Sequence, residues 1–139
     1  MKPTTRFLVA VAALVMMMNA DGLAQADTAQ PETVMVTLHV KAGAEADMQK
    51  ALDAHWAAIR ELNMVAADAP HVTLRGAESG DRTYFVEIFT WRDATLPDHA
   101  PAAVHAIWNR LNALVESRNG EPGLKFTEMR IVTGAAAVQ

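Results

Sequence analysis

Nine consecutive residues, Thr83–Trp91, leave this chain little freedom. They read Thr-Tyr-Phe-Val-Glu-Ile-Phe-Thr-Trp, rich in aromatic and β-branched side chains and free of Gly and Pro, which is the composition of a strand. Tyr84, Val86 and Ile88 alternate with Phe85, Glu87, Phe89 and Trp91. Apolar residues on both sides mean that both faces are covered, as in a central strand. Within that setting the carboxylate of Glu87 is the anomaly.

The flanking sequence supplies the other elements. Thr33–Val40 alternates, with Val34, Val36, Leu38 and Val40 on one side and Thr33, Met35, Thr37 and His39 on the other. That predicts a strand with one strongly apolar face. Ala44–Leu62 is helical, its stripe of Met48, Leu52, His55, Ile59 and Leu62 stepping by four and three. His71–Ala77 reads as a second strand, joined by the loop Glu78-Ser79-Gly80-Asp81 to the third. A helix starting near Asp98 or Pro101 carries Val104, Ile107, Trp108, Leu111, Leu114 and Val115. Asn-Gly and Pro-Gly break it before a fourth strand, Leu124–Val132.

The order βαββαβ predicts an α+β, ferredoxin-like domain: a four-stranded antiparallel sheet with two helices on one face and strands 1 and 3 in the middle. Helices on one face leave the other uncovered. Assigning Phe85, Phe89 and Trp91 to that open face calls for a second copy packed sheet to sheet.

The first residues have a different character. Lys2 and Arg6 precede the apolar run Phe7–Met18, and Ala24-Gln25-Ala26 follows. This is the layout of a secretory signal peptide over residues 1–26; the run is shorter than the ~20 residues of a membrane span. A flexible leader (27–32), the domain (33–133) and a tail (134–139) follow, with a periplasmic or secreted address and no stable membrane association after cleavage. Cleavage removes Lys2, Arg6 and Asp21, so 12 basic and 16 acidic residues become 10 and 15, a formal charge of −5. An acidic chain without a basic cluster argues against nucleic acid as a partner. With no cysteine, the domain has no disulfide, thiol nucleophile or thiolate ligand.

The topology, the strand Tyr84–Trp91 and the following His99…His105…Trp108 helix resemble the dimeric α+β barrel superfamily, nearest to its antibiotic-biosynthesis-monooxygenase-like branch. The likeness covers nearly all of Thr33–Val132. It implies a homodimer with a small pocket between sheet and helices, and no cofactor, since members include cofactor-free oxygenases of polycyclic phenols. Haem-degrading members are a poorer match, because strand 1 here has no Asn.

Several residues could carry chemistry. Among aromatics the charged form of Glu87 is disfavoured, which suits a general base; a structural pairing with Arg or His is the plainer account. His39 shares its side by strand parity and is an expected partner. His105 and Trp108 stand three apart on one helix side and, with Trp91, could wall a site for a flat phenolic ligand. His55 would line the same pocket, although a satisfied core histidine is the commoner case. The catalytic set is then Glu87, His39 and His105, the ligand-binding set His55, Trp91 and Trp108. The His spacings offer no metal motif. Two functions fit: an exported, cofactor-independent monooxygenase-like enzyme acting on a small aromatic or polyketide-like molecule, or a non-catalytic homodimeric ligand-binding or stress-associated module.

Overall fold

The computed structural model describes residues 29–132, so the expected signal peptide and the 134–139 tail lie outside the described residues. The elements are β1 (Glu32–His39), α1 (Glu45–Glu61), β2 (Val72–Glu78), β3 (Arg82–Trp91), a single 3₁₀ turn (Leu96–His99), α2 (Ala102–Ala113) and β4 (Leu124–Met129). All neighbouring strands are antiparallel in the order β2-β3-β1-β4. This is the expected ferredoxin-like α+β architecture, with β1 and β3 central.

Local chemistry explains the element ends. Gly43, at φ +83°, turns the chain into α1. Glu45 and Asp47 in the first turn and Arg60 in the last complement the helix dipole. Asn63, a residue type that tolerates left-handed backbone, carries φ +54° just beyond the helix. Met64–Ala66 then clamps onto the end of β3: the Ala66 amide donates to the Thr90 carbonyl and the Arg92 amide to that of Met64, both at 2.9 Å. After β3, Asp93 accepts bonds from the Thr95 amide (2.9 Å) and hydroxyl (3.0 Å). The amide, then the hydroxyl, and lastly the Arg92 charge hold its carboxyl below the usual range. Pro101, not Asp98, occupies the N-cap of α2.

The two helices cover one sheet face, and the core lies between. Met48, Ala51, Leu52 and Ile59 of α1, with Val104 and Leu111 of α2, meet Val34, Val36 and Leu38 of β1 and Phe85, Phe89 and Trp91 of β3. Leu62, expected on the buried stripe, is 44% exposed. The assignment of faces to β3 is corrected here. Phe85, Phe89 and Trp91 lie under the helices, and the open face instead carries Tyr84, Val86 and Ile88, half-buried, beside the exposed Val72 and Leu74 of β2. Alternation separates two sets of residues but cannot say which set faces the helices; that follows from register. Val34, Val36 and Leu38 stand opposite Phe89, Glu87 and Phe85.

Arg118 locks the end of the sheet near the α2–β4 connection. Buried, it donates to the carbonyls of Val40 and Thr83 and pairs with Glu116 at 3.1 Å. Close by, Gly123 packs directly on the backbone of Glu116; a Cβ there would stand 2.8 Å from its N, C and O atoms. Because backbone cannot step aside as a side chain can, Gly123→Ala is expected to cost about 1–3 kcal/mol. Urea denaturation checks this, and an unchanged midpoint would refute it.

Candidate functional site

Glu87 stands in the middle of β3, 1% exposed, with its side chain under the helices. Removing a carboxylate from water is costly unless both oxygens find donors. Two histidines supply them. His55, on the buried face of α1, places Nδ1 3.1 Å from Oε2, and His71, on the approach to β2, places Nε2 3.1 Å from Oε1. The indole N–H of Trp108 from α2 donates to Nε2 of His55 at 3.1 Å. An indole nitrogen can only donate, so Nε2 is bare and the His55 proton sits on Nδ1, pointing at Glu87. The result is a continuous chain, Trp108–His55–Glu87–His71, drawn from both helices and two strand regions.

Its outer end reaches the surface. The His71 side chain is 22% exposed. Its ring stacks on Trp56 with centroids 3.6 Å apart and planes 7° from parallel, while the Arg60 guanidinium lies 5.8 Å from the Trp56 ring centre. Trp56 therefore serves as the platform that holds His71 against Glu87. The inner end borders a cavity of about 70 Å³ lined by His55, Glu87, Trp91, Trp108 and Phe126, among others. At roughly 30 Å³ per water it has room for about two waters and is far smaller than a substrate pocket. Beyond it opens a groove of about 410 Å³ that shares Trp91, Trp108 and Phe126 as its walls. Trp108 thus stands between the larger space and His55.

The expected site residues separate on this geometry. Glu87, His55, Trp91 and Trp108 come together. His39 does not join them: register sets it opposite Tyr84 on the open face, where Nε2 lies 3.7 Å from Glu78. Parity along each strand was too weak a guide, since it ignored which residues of β1 and β3 stand opposite. His105 is exposed on α2, edge-on to Trp108 with centroids 5.0 Å apart, and lines neither the cavity nor the groove. His71, absent from the expected set, was within reach of a register argument. The three-residue loop between Glu78 and Arg82 puts Thr73 opposite Glu87, so His71, two residues earlier, falls diagonally across on the same face.

No protein-family profile matches the chain, and no curated protein sequence does. Solved structures do. SnoaB from Streptomyces nogalater, a cofactor-independent oxygenase, matches in a mutant form with a TM-score of 0.56 at 18% identity, over 76% of this chain and 97% of that one. The likeness shows the fold, that of a ferredoxin-like α+β domain. A dimeric ferredoxin-like protein of unknown function from Jannaschia sp. CCS1 matches with a TM-score of 0.52 at 19% identity, over 73% of this chain and 100% of that one. A conserved protein from Bacteroides thetaiotaomicron gives 0.52 at 16%, over 73% and 99%.

The tautomer of His55 is open to direct measurement. Long-range ¹H–¹⁵N correlation should show Nδ1 protonated and Nε2 bare, and Trp108→Phe should keep that tautomer, which Glu87 holds, while costing about 1 kcal/mol in stability. A protonated Nε2 in the unaltered protein would exclude the bonding order described.

Proposed function

We propose that the chain is an exported, cofactor-independent monooxygenase-like enzyme that oxidises a small aromatic or polyketide-like molecule. The observation that carries this is a buried imidazole beside a cavity, its Nδ1–H anchored on a carboxylate and its Nε2 covered only by the Trp108 indole among the described residues. When a substrate ring displaces the Trp108 indole, the freed Nε2 becomes a general base. The imidazolium that forms is stabilised by Glu87, as in other His–carboxylate pairs. Glu87 and His71 then offer the proton a route towards solvent.

The chemistry balances without a cofactor. His55 takes the hydroxyl proton of a phenol or hydroquinone whose ring keeps a C–H ortho or para to that oxygen, where the anion carries its carbon nucleophilicity. The electron-rich anion reacts with dioxygen to a hydroperoxide, which loses water and leaves a carbonyl. One oxygen atom enters the product and the other leaves as water. The protein's part is position, a base and exclusion of bulk water. SnoaB's description as a cofactor-independent oxygenase supports the reading on the same fold. A non-catalytic ligand-binding module is the second reading, favoured by the small cavity and by Glu87 being fully bonded to histidines.

We propose further that the protein is a homodimer, joined through the open sheet face. Leu74, 53% exposed, with Val72, Val86 and Ile88, gives that face an apolar surface suited to a second copy. The ring of Tyr84 keeps it level by filling the space over Gly76, where a Cβ would collide with the ring. The exported address rests on the leader pattern of residues 1–26.

Oxygen uptake with a panel of phenols and hydroquinones tests the activity. Turnover should fall about 10²-fold or more in His55→Gln and in Glu87→Gln; uptake equal to that of the unaltered protein in both would discard the mechanism. Periplasmic material should begin at Asp27 by mass and sediment as a dimer, and Leu74→Glu should shift it to monomer. A monomer at micromolar concentration before substitution would disprove the interface.

A further inference from the structure

The groove outside Trp108 has a charge as well as a shape. Register sets its floor: Glu32 stands opposite Trp91, Val34 opposite Glu128, and Val36 opposite Phe126, all on the helix side of the sheet. The 3₁₀ turn adds Asp98, and α2 adds Trp108. Phe126 is 59% exposed although it lies on the face that buries Val36 and Glu87, because neither helix reaches this corner of the edge strand. Three aromatic side chains and three carboxylates therefore border one space of about 410 Å³.

None of these carboxylates has an ion pair within 4 Å among the described residues, where the acidic partners are Glu78, Glu87, Glu116 and Glu121. Arg130 borders the adjoining trough, which shares Glu32, Ala94 and Glu128, but does not line the groove. Carboxylates gathered beside one another without a cation repel, and aromatic faces present negative charge to whatever lies over them. Both features favour a positive ligand group and disfavour an anion.

We propose that this groove binds an aromatic molecule bearing an ammonium group, with its ring against Trp91, Trp108 and Phe126 and its cationic end among Glu32, Asp98 and Glu128. The inference deepens the proposed oxygenase reading, on which it rests for the role of the ring, by giving the substrate a charge. The groove lies on the helix side, so a second copy on the opposite face leaves it available. The shared Trp108 wall places the bound ring next to the bond that must open to free His55.

Isothermal titration of the purified protein with phenyltrimethylammonium, benzyl alcohol and benzoate tests this without turnover. The cation should bind about tenfold more tightly than the neutral alcohol, and benzoate most weakly. The Glu32→Gln/Glu128→Gln double variant should abolish that preference while keeping benzyl alcohol affinity and the thermal melting curve, and Phe126→Leu should weaken the cation several-fold. Equal or tighter binding of the alcohol or benzoate, no binding of the cation, or a preference that survives the double variant would each overturn the proposal. A protein that binds the cation but consumes no oxygen with any substrate fails as an oxygenase only; one that oxidises neutral rings without a cation preference fails this inference only.

Discussion

A carboxylate held out of water is the constraint around which this domain closes. Glu87 sits on the central strand beneath both helices, between Phe85 and Phe89 on the same face. Such a group is tolerated only when both oxygens are answered. Here the answers come from α1 and from the approach to β2, and Trp108 of α2 completes the chain behind His55. The helices therefore cannot slide over the sheet as a purely apolar layer could, because a shift of one turn would part His55 from Glu87 and Trp56 from the His71 ring. Satisfaction of one polar group fixes the docking of three elements.

The same network runs inward from the surface to a small cavity. Trp56 and His71 stand at the entrance, Glu87 in the middle, and His55 at the cavity. Trp108 has two roles in that arrangement, capping Nε2 of His55 and separating the small cavity from the wide groove. In the proposed reaction these roles are linked: a ligand that pushes the indole aside gains contact area and exposes Nε2 in one movement. The resting geometry is well satisfied and closed, so that in the proposed reaction the buried base would be kept from bulk water.

The sequence carried much of the frame. Alternation in Thr33–Val40 and Thr83–Trp91, the four-three stripe of Met48, Leu52, His55 and Ile59, and the Gly80 turn marked the elements to within a few residues. Glu87 stood out because a charge in a run of aromatics must be paired or used. Two expectations failed for one reason. Phe85 and Phe89 were set on the open face, and His39 beside Glu87, although strand periodicity gives relative sides only. Register against β1 decides both, and it puts Glu87 with Val36 and His39 with Tyr84.

What the chain itself settled was the order and kind of its elements, since these follow from local periodicity, turn residues and side-chain volume acting over a few neighbours. It also singled out Glu87, His55, Trp91 and Trp108, as polar or bulky groups in apolar stripes. Only the tertiary structure decided which nitrogen meets which oxygen, why His71 rather than His39 completes the network, and how Phe126 remains exposed on a buried face. Those depend on distances between segments far apart in sequence, and they are set by strand register and by where two helices end over a four-stranded sheet.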